Sequence, residues 1–163
     1  MELIDVIIEA KTRVFVCAIG IPPKSAVDRL HSAGVLYMNM IGHPKHVQRC
    51  LENDVDILCA QGGEAGGHTG DFPFSVLIPS VAKLLRGKKS KLTGIDVQLV
   101  AAGGVSGGDS LAASLMLGAS AVWVGTRFVV ANEAGASKAH QDAILSAGYD
   151  DTIRTTIFSV SLG

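Results

Sequence analysis

Residues 61–70 read QGGEAGGHTG, five glycines around one acid, Glu64, and one imidazole, His68. A linker has no use for the histidine, and a core strand does not tolerate the glycines. The combination fits a binding loop. Glycine removes side chains and lets a flat ligand approach the backbone, here at Gly62, Gly63, Gly66 and Gly67. Histidine ordinarily titrates near neutrality and is the natural general base there. Gln61 carries both a donor and an acceptor, which suits the edge of a heterocycle. The competing reading is a mobile surface loop whose histidine does nothing. Glu64 either caps the loop or meets His68, and the residues alone leave that open.

A second glycine-rich stretch, AAGGVSGGDS (101–110), leads into a helix-like segment. Backbone N–H groups at such a turn are free to bind a phosphate, and the helix dipole favours the anion. The spacing lacks GxGxxG, and no acid closes the following strand, so a dinucleotide fingerprint is disfavoured. His43 and His46, with Cys50 one turn beyond, have a spacing that could touch a metal. The competing and favoured reading is a strand-to-helix turn carrying an exposed His46. His43 could still face the active mouth.

These residues need a frame. Five near-continuous apolar runs occupy 14–20, 35–42, 56–63, 97–104 and 121–128. Such runs are typical of parallel strands covered on both faces. Helix-like segments lie between them: KSAVDRLHSAG ending at Gly34, PKHVQRCLEN opening at Pro44, SVLIPSVAKLLRG with Pro79 near its start, and DSLAASLMLG with Asp109 in its first turn and Gly118 as the stop. Repeating βα units predict a parallel sheet, either doubly wound or part of a (β/α)₈ barrel. Barrels place a common phosphate site after strands seven and eight. On that count the five runs are strands 4 to 8 of an incomplete TIM barrel. A full barrel needs roughly 250 residues, and this chain has 163. It is read as one partial domain, 1–163. Trp123 is expected in the core. GYDDTIRT (148–155) is expected to begin a surface segment.

Composition bounds the partners. Hydrophobic residues make up 48% and charged residues 18%, which excludes a disordered tail. The net charge of -1 argues against nucleic acid and membrane surfaces. No apolar run is long enough to span a bilayer, and the acidic N-terminus does not read as a signal peptide. Three cysteines without CxxC spacing read as reduced thiols in a cytoplasmic compartment.

AQGGEAGGHTG followed by VAAGGVSGGDSLAASLMLGASAVWVGTRFVVANEAGAS resembles the nitronate monooxygenase family, formerly the 2-nitropropane dioxygenases, from about Arg13 to Thr156. GHPKHVQRCLENDVDILCAQGG resembles its fungal-type members. The resemblance implies an FMN-dependent TIM barrel that oxidises alkyl nitronates or nitroalkanes with O2, giving a carbonyl compound and nitrite. It implies that His68 is the active-site histidine. It also implies that Gln61, Gly62 and Gly63 meet the flavin, and that Gly103, Gly104, Gly125 and Thr126 hold the FMN phosphate. Arg127 either helps neutralise that phosphate or forms a structural ion pair. The family pattern further implies a glycine- and methionine-bearing first strand, two more strands and a C-terminal segment that this sequence does not include. The chain therefore reads as N-terminally truncated. It is expected to bind FMN weakly or not at all, and its open sheet edges offer a route to self-association. Flavin-dependent enoyl-acyl-carrier-protein reductases share the EAGGH-type loop and form one rival reading; a catalytically inactive barrel fragment that associates with itself, or with a partner supplying the missing strands, is the other.

Overall fold

A computed structural model describes residues 2–155 and residue 157. The chain divides into two compact units, 1–125 and 126–163. The first unit opens with α1 (Glu2–Glu9) and continues β1 (Val14–Cys17), α2 (Lys24–Ser32), β2 (Leu36–Ile41) and a 3-10 turn (Pro44–His46). It goes on through α3 (Val47–Glu52), β3 (Ile57–Gln61), α4 (Phe74–Leu85), β4 (Gln98–Ala102), α5 (Gly108–Met116) and β5 (Ala121–Trp123). The second unit holds α6 (Thr126–Val129) and α7 (Lys138–Ser146).

All five expected strands form, and all pair in parallel in the order β1-β2-β3-β4-β5. That order chooses between the two architectures. A doubly wound sheet reverses direction at a switch point, whereas a barrel wall adds each strand beside the last. The observed arc is that of an incomplete (β/α)₈ barrel.

Alternation along the strands separates two faces. On one, Tyr37, Ile41, Leu58, Ala60, Leu99 and Ala101 pack beneath the helices with Val27, Cys50, Leu77, Ile78 and Val81. On the other, Met38, Cys59 and Ala102 form a smaller cluster flanked by Val14, Val16, Met40, Ile57 and Val100. This second face corresponds to the interior of a barrel. Cys50 and Cys59 are free and fully buried, and burial pushes their thiols up to about 11 and about 12.

Three expectations are adjusted. Pro79 lies inside α4, because Leu77, Ile78, Val81 and Leu85 bury one helix face completely or nearly so. That burial outweighs the roughly 3 kcal/mol a mid-helix proline costs. Trp123 is 42% exposed rather than core, because β5 is an edge strand paired only with β4. Finally, α1, α6 and α7 were not anticipated. Residues 148–155 are exposed, as expected.

Candidate functional site

Because the strands are parallel, their C-terminal tips share one edge of the sheet. That edge gathers Gly42 after β2, Gln61 to Gly63 at β3, Gly103 and Gly104 after β4, and Gly125 after β5.

The loop leaving β3 is built by backbone packing. The Gly62 N–H donates to the Ala102 carbonyl at 2.8 Å and the Gly63 N–H to the Phe72 carbonyl at 2.8 Å. A Cβ on Gly70 would stand 2.7 Å from the Gly42 oxygen, so the loop returns against the β2 tip at a distance only glycine allows. A Cβ on Gly103 would stand 2.9 Å from the Gly62 oxygen, and its φ of +98° is itself left-handed. The strand tips of β2, β3 and β4 are thereby locked together through main chain. The absent side chains of Gly62 and Gly63 leave room for protein atoms as well. Glu64 Oε2 would be 2.6 Å from a Cβ at 62, and the Gly70 oxygen 3.2 Å from one at 63.

Glu64 has a definite role. Both its carboxylate oxygens accept from the Phe74 N–H at 3.0 Å. Pro73 precedes α4 without a capping side chain, so Glu64 supplies the missing cap from ten residues upstream. Thr69, which the sequence did not single out, donates its hydroxyl toward the carbonyls of Gly62 and Gly70, at 3.1 and 3.0 Å. It ties the far side of the loop back to the strand. Between these ties sits His68, exposed and without a hydrogen-bond partner among the described residues.

The turn after β4 has consecutive positive φ values at Gly103 and Gly104. Ser110 Oγ takes the N–H groups of Ser106 and Gly107, each at 3.0 Å. No acceptor is found among the described residues for the N–H groups of Gly103, Gly104, Gly108 or Asp109. Asp109 lies in the first turn of α5, where it accepts from the Ser110 N–H. A Cβ on Gly125 would meet open space. Thr126 begins α6 in the second unit and is exposed, as is Arg127. Gln61 ends β3 half-buried.

His43 is a structural cap. Its Nδ1 accepts from the Lys45 N–H at 2.9 Å, and its ring meets Phe72 edge-on at 4.5 Å. Its extended backbone continues the β2 alternation, which sets it on the helix side with Ile41. Burial and the neighbouring Lys45, His43 and Arg49 hold the His46 imidazole below its ordinary range. Among the described residues, no group of three His, Cys, Asp or Glu side chains could hold a metal.

Residues 1–161 match the family described as nitronate monooxygenase. The chain is similar to a probable nitronate monooxygenase of Staphylococcus saprophyticus, 32% identical over 97% of this chain and 45% of that protein. It is similar also to a hydroxy-methyl-oxo-octahydroindene-carboxyl-CoA dehydrogenase of Mycobacterium tuberculosis, 37% identical over 95% of this chain and 41% of that one. Among solved structures, FabK from Thermotoga maritima superposes with a TM-score of 0.82 at 28% identity, over 95% of this chain and 46% of that chain. The chain thus spans less than half the length of the curated relatives it matches. On sequence, parallel strand order and the glycine-built edge together, it belongs to the nitronate monooxygenase family.

Proposed function

We propose that this chain carries part of the active barrel of an FMN-dependent oxidoreductase that oxidises alkyl nitronates with O2 to a carbonyl compound and nitrite. The observation that carries the reading is one sheet edge holding both an acceptor-less turn at Gly103–Gly104 and an unpartnered imidazole at His68.

The turn fits a phosphate. Its N–H groups have no acceptor among the described residues, and α5 begins just beyond with its dipole favouring an anion. Gly103 and Gly104 hold the phosphate, with Gly125 on the neighbouring tip. By its place in the family motif, Thr126 is assigned to the phosphate too. Gln61, Gly62 and Gly63 meet the flavin edge. When bound, FMN supplies the electron acceptor for the nitronate and the centre that O2 reoxidises. His68 meets the substrate: as a neutral imidazole it takes a proton from a nitroalkane carbon, and as an imidazolium it pairs with the nitronate anion. No hydrogen bond to it is found among the described residues, which leaves both ring nitrogens available.

The similarity to FabK supports a second reading, a flavin-dependent enoyl-reductase type of reaction fed by a nicotinamide. Anaerobic mixing of propyl nitronate with the protein in excess FMN, read against FMN alone, separates the two. Bleaching of the oxidised flavin band by the nitronate, with nitrite appearing once O2 is admitted, is the expected result. Bleaching by NADH and not by nitronate would replace the first reading with the second.

A further inference from the structure

The inward face of the sheet ends in a row whose third member has no role so far. The parallel register pairs Gln61 with Ala102 and Ala102 with Trp123. Partners across a parallel ladder point to the same side, and Val122 packs with the helix-side core, so Trp123 faces inward with Ala102 and Gln61. Strands about 4.8 Å apart put the Gln61 and Trp123 backbones about 10 Å from one another. Only a methyl group stands between them, and Ala102 is 3% exposed while Trp123 keeps 42%. The row therefore presents an amide and an indole with no large side chain rising in the middle.

Trp123 is the only tryptophan of the chain. The acceptor-less turn begins at Gly103, directly after Ala102 on the same strand. An aromatic surface beside a phosphate-type turn matches a ligand that joins a flat heteroaromatic ring to a phosphate.

We propose that Trp123 is a positioning residue whose indole contacts the isoalloxazine ring of FMN, opposite the Gln61 amide. The proposal rests on the FMN reading above and adds to it a wall that the family motifs did not indicate.

The test is a titration of the full chain, at up to millimolar ligand, with FMN, riboflavin and inorganic phosphate. Phosphorus line broadening reads the turn, and flavin absorbance shifts read the ring. Trp123→Ala is expected to weaken both FMN and riboflavin about tenfold, a loss in line with aromatic pairing. It should leave phosphate broadening unchanged. Trp123→Phe is expected to stay within about threefold of the parent, whereas Trp123→Leu, which keeps apolar bulk without a π face, should lose most of the tenfold. Wild-type FMN affinity in Trp123→Leu or in folded Trp123→Ala overturns the wall while leaving the turn standing. Absence of phosphorus broadening with the parent chain overturns the FMN reading for this chain, and the wall with it.

Discussion

The two ends of the same five strands are finished in opposite ways. At the N-terminal end, Asp56 is 3% exposed and each of its carboxylate oxygens has a donor. Oδ2 accepts from the Tyr37 N–H at 2.7 Å and pairs with His31 Nε2 at 2.9 Å, and Oδ1 accepts from the Ser90 hydroxyl. Ser90 Oγ accepts in turn from the Thr93 N–H at 3.0 Å. At the C-terminal end, the turn after β4 leaves N–H groups without acceptors among the described residues, and the β3 loop leaves His68 without a partner among them. A saturated network holds strands, turns and α2 in one arrangement. On the proposed reading, the unsaturated edge keeps its donors for a bound phosphate. Barrel enzymes divide stability and chemistry between their ends in this way.

The contrast can be broken most sharply at Asp56. Asp56→Ala orphans two buried donors, the Tyr37 N–H and the Ser90 hydroxyl, and removes the partner of half-buried His31, and should cost about 3–5 kcal/mol in urea unfolding. A loss under about 1 kcal/mol would mean the network holds little. Gly103→Ala comes next. It forces a left-handed residue with a Cβ against the Gly62 oxygen, and should cost about 2–3 kcal/mol and abolish phosphate broadening together. Retained phosphate binding would detach the turn from the site. Glu64→Gln keeps the shape of the α4 cap but removes its charge, and should cost about 1 kcal/mol, measured by thermal unfolding.

The pH response is smaller still. Partial burial pushes the Asp54 carboxyl up, but hydrogen bonds from Lys24 and Lys91 outweigh this and hold it below its usual value. A lowered carboxyl stabilises above its unfolded range and loses that contribution as pH falls through the folded value. The pair is partly exposed, so Asp54→Asn should remove less than about 1 kcal/mol at pH 7 and nothing once the carboxyl is protonated. A stability difference that persists at the acid end would assign the effect to packing instead. Last, His68→Ala should change stability by less than about 0.5 kcal/mol while removing nitronate turnover from FMN-loaded protein. A large stability loss would make His68 a structural residue.

Much of this was legible in the sequence for a local reason. Parallel strands buried on both faces write themselves as unbroken apolar runs, and glycine turns stand at their ends. The parts that stayed hidden depend on partners far apart. Asp56 meets residues 31, 37 and 90, and the carboxylate of Glu64 reaches the amide of residue 74. No spacing rule joins them. The sequence places Trp123 in the core because a run of apolar residues does not say whether its strand lies at an edge. The glycines of 61–70 were legible as close approach to a ligand, yet at 62, 63 and 70 the nearest atoms are the protein's own.

Those contacts bear on how such a barrel changes its chemistry. Gly62, Gly63 and Gly70, which look like slack, are the base of the loop, fastened main chain to main chain across three strand tips. The tip from Ala65 to His68 projects from that base. Exchanging the residue at 68, the proposed reactive group, disturbs no buried contact of its own side chain. Relatives named for an oxygenase and for a dehydrogenase are what a fixed mount with a replaceable tool would be expected to yield.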